Sequence, residues 1–415
     1  MKSLIDSAIA VKKASSTIAN LDTKTKDQAL IAIAEALITN QTKIIEQNMI
    51  DLELASQTNM PPSLLDRLML NSSRINDMAI GVKQIVALND PIGEIIEEWT
   101  TAELLNIKKV RVAMGVIGII YEARPNVTVD AAVLALKAGS AILLRGSASA
   151  YNSNMTLIDV MRQAITTVGL PSDAICYVED PSHDTVDQML KLREYIDLIV
   201  PRGGPSLINN AVLNATVPIL ETGIGNCHVY IDDSADYDMA EAIVLNAKTQ
   251  RTGVCNAIET ILINKKWAQD HLTKLLDVLK AHGVELHGDK ASEGYCTDII
   301  PATEQDWQQE YLRLALAVKI VNDVEEAVAH ISQYGTKHTE AIITSSSINA
   351  QYFQTNVDAA VVNVNTSTRF TDGFMFGFGA ELGISTQKLH ARGPMGLKEI
   401  TSYKYLVSSN GQIRK

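Results

Sequence analysis

No apolar run in this 415-residue chain reaches the roughly eighteen residues that a membrane-spanning helix needs. The longest, Val112 to Tyr121, is far shorter and is interrupted by Gly115 and Gly118. The N-terminal Met1-Lys2-Ser3-Leu4-Ile5-Asp6 places an acid where a signal peptide would carry its apolar stretch, so no targeting segment is expected. A basic excess is missing too. Lys and Arg number 36 against 48 Asp and Glu, a net charge of −12, whereas a nucleic-acid binder needs a basic stripe to displace counterions. Cysteine is sparse: Cys176, Cys227, Cys255 and Cys296 are scattered, with no C-x-x-C and no paired histidines. That argues against a disulfide scaffold or a metal site and for free thiols in a reducing cytosol. Neither G-x-G-x-x-G nor G-x-x-x-x-G-K-[ST] occurs, so the usual dinucleotide fingerprint and the P-loop are both absent. What remains, 46% hydrophobic and 20% charged, is the composition of a soluble globular enzyme of two or three domains.

The first ninety or so residues read as helical, with Leu30, Ile33, Ala34, Leu37, Ile38, Ile44, Ile45 and Met49 at helical spacing between Lys24 and Leu54. Pro61-Pro62 breaks the pattern and Ser63 opens another helix. From Pro91 to Val112 the pattern turns extended, as exposed strands or a hairpin. Then short aliphatic runs, Val116–Tyr121, Ala141–Leu144, Ala174–Val178, Ile196–Val200 and Val217–Leu220, alternate with helical segments. Continuous aliphatic strands between helices mean a parallel sheet covered on both faces. A second alternating block follows, with strands expected at His228–Ile231, Thr260–Ile263, Ala317–Val321, Ala341–Thr344 and Ala359–Val364. The tail Ser402 to Val407 alternates like an edge strand. The fold class is α/β.

Doubly wound sheets bind ligands at the carboxyl ends of strands. Three such ends carry arginine: Glu122 to Asn126 around Arg124, Arg145-Gly146-Ser147, and Pro201-Arg202-Gly203-Gly204. Backbone N–H groups beside a forked guanidinium form a phosphate cradle, against the blander reading of a solvated loop arginine. Among the thiols, Cys176 lies inside an aliphatic run and reads as packing, and Cys296 has no chemistry around it. Cys227 adjoins His228, but neighbours in an extended chain face opposite ways. Cys255 occupies a short loop between helix and strand, with Arg251 and Lys248 as nearby cations to favour a thiolate. Local sequence leaves a catalytic and a structural role for it evenly balanced. Glu221 and Glu310 flank aliphatic runs, where a glutamate is more often a solvated acid or a cap than a general base.

Four long segments, Gly115 to Asn126 (GVIGIIYEARPN), Glu221 to His228 (ETGIGNCH), Ala247 to Asn256 (AKTQRTGVCN) and Val362 to Phe370 (VNVNTSTRF), occur in order across the chain. By them the chain resembles the γ-glutamyl phosphate reductases, glutamate-5-semialdehyde dehydrogenases of proline biosynthesis in the aldehyde dehydrogenase superfamily. The resemblance implies two Rossmann-like parallel-sheet domains plus a small β oligomerisation arm. In this numbering residues 1–91 and 114–225 become the cofactor-binding domain, 226–382 the catalytic domain, and 92–113 with 383–415 the oligomerisation hairpin and strand. It implies NADPH/NADP+ as cofactor, a small-molecule substrate, a homo-oligomer, a cytoplasmic location, no nucleic-acid or membrane partner, and transient association with glutamate 5-kinase. It makes Cys255 the nucleophile that expels phosphate from the acyl phosphate and holds a thioester for reduction. The backbone N–H of Cys255 and the Asn126 side chain become oxyanion donors, although the superfamily's usual asparagine aligns nearer Arg124. Arg145, with Gly146 and Ser147, falls where the adenosine ribose is held, Gly203 and Gly204 line the cofactor, and Glu310 matches the nicotinamide-ribose acid. Glu221 stands where hydrolytic relatives keep a base, but a phosphate-releasing reductase needs none, so a structural or cofactor-positioning duty is expected. Arg124, Arg251 and Arg369 are the cations for the substrate's phosphate and α-carboxylate, with an Arg369–Asp372 surface pair as the alternative for Arg369. A dehydrogenase for another carbon skeleton and a non-redox cysteine hydrolase or scaffold are the competing readings.

Overall fold

The computed structural model describes residues 3–58 and 60–414, so Met1, Lys2, Asn59 and Lys415 lie outside the description. The chain divides into two compact units, one of Met1–Thr222, Gly377–Gly383 and Met395–Lys415, the other of Gly223–Phe376 and Ile384–Pro394. The hairpin 92–113 and the C-terminal strand, expected to form the oligomerisation arm, fall within the first of these units.

The first unit opens with helices Leu4–Ile18, Thr23–Thr39, Gln41–Gln57, Pro62–Leu68 and Ser72–Val86. The periodic stretch from Lys24 to Leu54 is two helices, parted at Asn40, whose side-chain amide donates to the Ala36 carbonyl (2.8 Å). A four-stranded parallel sheet follows, in the order Ile175–Tyr177, Ala141–Arg145, Val116–Tyr121, Leu198–Arg202. Every residue of Val116–Tyr121 is buried, as a central parallel strand requires. The order reverses beside that strand, so the switch point lies between its end and that of Leu198–Arg202. The expected strand at Val217–Leu220 is a single bridge, Ile219 to Ile199, because Pro218 has no N–H to give a ladder. An antiparallel three-stranded ribbon, Ile95–Thr100, Asn106–Ala113 and Thr401–Ser408, completes the unit, as the alternating patterns foretold.

Asp51 fastens the helical layer to the sheet layer. It is 1% exposed, and its two oxygens accept from the backbone N–H groups of Asn152 and Ser153 and from both side chains (2.6–3.2 Å) at the start of helix Tyr151–Thr167. Asp51→Ala removes an N-terminal cap and orphans buried donors, so unfolding free energy should fall by roughly 2–3 kcal/mol in a urea titration. An unchanged midpoint would show that Asp51 does not hold the layers together.

The second unit is a seven-stranded, wholly parallel sheet in the order Ile300–Pro301, Glu285–Gly288, Ala315–Val321, Ile258–Asn264, Cys227–Ile231, Thr339–Ile343, Val361–Val364. Helices Tyr237–Thr249 and Lys265–Ala281 cover one face, with Trp267, Leu272, Leu275 and Leu279 in the core, and Val324–Tyr334 packs its Ala327 and Ile331 on the other. Helix Ser347–Asn356 escapes the sequence pattern because only Phe353 in it is buried, which leaves no apolar stripe to detect.

Candidate active site

At the carboxyl edge of the first unit's sheet, Arg145 ends its strand nearly buried, at 7% exposure. Its Nη2 donates to the carbonyls of Pro181 and Ser182 (the latter at 2.9 Å), and its Nε is buried with no partner. The half-exposed Ser147 hydroxyl follows two residues on, 2.7 Å from Ser149 Oγ. Both suit the sugar end of a nucleotide. Gly146 admits no side chain, because a Cβ there would run into the amide of Asn154 and meet the Tyr177 hydroxyl at 3.0 Å.

The loop at Gly203 and Gly204 departs from the phosphate-cradle expectation. Glu122 Oε2 accepts the Gly204 N–H (3.1 Å) at the start of helix Pro205–Asn214, so the chain's own carboxylate holds the anion position of that helix start. Gly203 is glycine for the same reason, since a Cβ would stand 2.7 Å from the Glu122 carboxyl carbon. Arg124 is the residue before helix Pro125–Lys137, with Asn126 exposed in the first turn. Asn126 Nδ2 donates to Asp130 Oδ2 (3.1 Å), and burial pushes the Asp130 carboxyl up to about 6. Glu221, two residues beyond the Ile219 bridge, is half-buried.

In the second unit Cys255 lies at the amino edge of the sheet. Four adjacent strands begin just after Cys255, Asn226, His338 and Glu310 respectively, so the segments leading into them converge. Cys255 is half-buried, whereas Cys227 and Cys176 are buried at 0% and 2% exposure. Burial, then the charge of Glu340, pushes the Cys227 thiol well up, and its Sγ donates to the Cys255 carbonyl (3.2 Å). Cys227 therefore supports the loop and is a poor nucleophile. Gly225 lies against the same carbonyl, so closely that a Cβ would run into it. The Gly225 N–H donates to Glu310 Oε1 (3.0 Å). Asn226 donates to the carbonyls of Trp307 (2.8 Å) and Tyr334 (2.9 Å), locking the neighbouring segments.

Arg369 comes to this edge by an indirect route. Beyond strand Val361–Val364, Asn365 turns the chain at φ 55°. The Thr368 hydroxyl then donates to the Asn256 carbonyl (2.7 Å), and the Asn256 amide donates to the Thr371 carbonyl (2.8 Å). Arg369 is thereby drawn beside the cysteine loop, its Nε donating to Gln250 Oε1 (3.0 Å). Burial and the like charge of Arg251 push the Arg369 guanidinium down, while Asp372 and Cys255 pull it up. Two cations held together are stabilised by an anion placed between them. A cavity of about 510 Å³ opens alongside, lined among others by Asn246, Gln250, Ser367, Arg369 and Asp372. Asp372 Oδ1 accepts from the N–H groups of Phe374 (2.9 Å) and Met375 (3.3 Å), shaping the turn that follows.

One expectation fails outright. Lys248 is no free cation beside the thiol, because it is fully buried and its ammonium is 2.5 Å from Glu259 Oε2. The roles of Glu122, Gly225 and Cys227 were also missed. Only the G-I-G-N run ahead of Cys227 carried a signal, as small residues where backbone must approach closely.

One unit carries a Rossmann-like strand order and the other a loop thiol at its sheet edge. The chain belongs to the aldehyde dehydrogenase family, whose pattern matches residues 2–294, and this family takes a nicotinamide cofactor. More narrowly, it belongs to the γ-glutamyl phosphate reductases. It is 53% identical over 416 residues to the γ-glutamyl phosphate reductase of Halalkalibacterium halodurans, covering 100% of both chains. The crystal structure of the Thermotoga maritima γ-glutamyl phosphate reductase matches with a TM-score of 0.98 at 46% identity, covering 100% of both. An engineered glycolyl-CoA reductase with bound NADP+, 16% identical, shares the fold with a TM-score of 0.72 over 98% of this chain and 97% of that one.

Proposed function

We propose that this chain reduces L-glutamyl 5-phosphate to L-glutamate 5-semialdehyde with release of phosphate, using NADPH and a thioester on Cys255. The observation that carries the reading is the half-exposed Cys255 beside Arg251 and Arg369, on a loop whose carbonyl is braced by Cys227 and Gly225. The Cys255 thiolate attacks the acyl carbon, an S–C bond forms, and the C–O bond to phosphate breaks. The Cys255 N–H and the second amide hydrogen of Asn126, whose first is on Asp130, are the proposed oxyanion donors. Arg124 and Arg251 take the phosphate, and Arg369 takes the α-carboxylate. NADPH, when bound, supplies the hydride that reduces the thioester, after which the Cys255 thiolate is released. Arg145, Gly146 and Ser147 are proposed to hold the adenosine ribose, Gly203 and Gly204 to border the cofactor, and Glu310 to hold the nicotinamide ribose. Glu221 keeps a positioning duty, because a base there would lose the thioester to water.

The reading extends to a homo-oligomer in the cytoplasm; the homo-oligomer is supported by the ribbon of Ile95–Thr100, Asn106–Ala113 and Thr401–Ser408, one face of which leaves Trp99, Tyr403, Tyr405 and Val407 exposed as an apolar patch. Transient association with glutamate 5-kinase would shorten the path of a labile acyl phosphate. Among the described residues no helix is long and apolar enough to cross a membrane. The test is the reverse assay: glutamate semialdehyde should drive NADP+ reduction only when inorganic phosphate is present. Reduction at the same rate without phosphate would refute the reading.

Cofactor choice rests on Arg145. A guanidinium grips a 2′-phosphate with charge-assisted hydrogen bonds worth about 1.5–3 kcal/mol, so Arg145→Ala should weaken NADPH roughly tenfold to hundredfold and NADH far less. Equal weakening of both, measured by fluorescence titration, would assign Arg145 to the ribose hydroxyls alone.

A further inference from the structure

We infer that the buried Lys248–Glu259 pair is a clasp that sets the position of the Cys255 loop, making both residues positioning residues for its chemistry. This rests on the reading of Cys255 as the nucleophile. Lys248 sits in the last turn of helix Tyr237–Thr249, ahead of the loop, and Glu259 in strand Ile258–Asn264, just behind it. The Lys248 ammonium crosses the base of the loop, donating to the Ile258 carbonyl (3.0 Å) and to Glu259 Oε2 (2.5 Å). Entry and exit of the segment bearing Cys255 are thereby pinned together. The other carboxylate oxygen, Oε1, accepts the N–H of Leu312 (3.2 Å), a non-glycine residue held at φ 54°. Two residues earlier Glu310 takes the Gly225 N–H, and Gly225 bears on the Cys255 carbonyl. One carboxylate thus ties together the loop and the segment that braces it from the far side.

Stability does not explain the choice. Both side chains are 0% exposed, and burial pushes Lys248 down and Glu259 up to about 7, so the site resists both charges. Apolar residues of similar volume hold a core as well as a buried ion pair does, or better. What they lack is direction: hydrogen bonds to Ile258, Leu312 and each other fix a loop that apolar packing would leave free to shift. A shift of about 1 Å in a reacting atom lowers turnover on the order of a hundredfold.

The test uses the full chain with two variants, Lys248→Met/Glu259→Gln, which removes both charges and leaves neither buried alone, and Lys248→Arg, which keeps the charges and changes the reach. In the reverse assay the double variant should lose kcat about 10- to 100-fold with KM for glutamate semialdehyde within about threefold, since no substrate contact is removed. Lys248→Arg should fall between it and the parent. Alkylation of Cys255 by iodoacetamide, followed by peptide mass spectrometry, should be as fast as in the parent or faster, because an unclasped loop exposes the thiol. Full kcat in either variant would overturn the clasp, as would kcat and alkylation falling by the same factor. A parent enzyme without phosphate-dependent activity would instead overturn the proposed function, a separate failure.

Discussion

Replacing Cys255 with alanine is expected to abolish phosphate-dependent turnover, a loss on the order of 10⁴-fold or more, while NADPH still binds. The alternative thiol is constrained by its surroundings. Cys227 is wholly buried, and burial together with Glu340 holds its thiol in the neutral form that neither attacks nor leaves. Cys227→Ala should therefore retain turnover, reduced only by the loss of its bond to the Cys255 carbonyl. Serine at 255 should be nearly as inactive as alanine, because an alkoxide is a far poorer leaving group than a thiolate. Near-normal turnover in Cys255→Ala would end the thioester mechanism, and loss in Cys227→Ala alone would move the nucleophile to Cys227.

Arg369→Leu should reduce kcat/KM roughly tenfold to hundredfold, the effect of one charge-assisted bond worth about 1.5–3 kcal/mol. The substrate's α-carboxylate must be held while its far end reacts at Cys255, and the planar guanidinium suits that task. Arg369 is drawn to the cysteine loop by Gln250 and by the Thr368–Asn256 bond, with Arg251 as a second cation nearby. Holding one end positions the other, so kcat should fall along with affinity. The comparison is between glutamate semialdehyde and an analogue lacking the α-carboxylate, both in the reverse direction. The variant should lose its factor on the first and nothing on the second. Equal losses on both, or none on either, would remove Arg369 from carboxylate recognition.

The two parallel sheets were legible because their strands are uninterrupted aliphatic runs: Val116–Tyr121 and Ile258–Asn264 are buried at every position. Elements that bury little were not. Helix Ser347–Asn356 buries only Phe353, and the strand Glu285–Gly288 buries alternate residues over a length too short to show a period. The Cys255 loop stood out by residue type and by its place between helix and strand. Pairings between charged side chains did not, because nothing in the spacing of Lys248 and Glu259 distinguishes a buried pair from two solvated charges. The same blindness hid Glu122 at the Gly204 N–H and the Pro181 and Ser182 carbonyls on Arg145. Both alter how that edge of the first sheet is read, since a carboxylate and two carbonyls take up donors that sequence alone left open.

The thioester itself is open to direct count. The enzyme is mixed with glutamate semialdehyde and NADP+ in a stopped-flow instrument with inorganic phosphate rigorously removed, and NADPH is followed at 340 nm. The account predicts a burst approaching one NADPH per Cys255, then almost no turnover until phosphate is added, when steady reduction begins. Continuous turnover without phosphate would mean that water discharges the acyl enzyme. That result, or the absence of any burst while phosphate still supports turnover, would contradict the account.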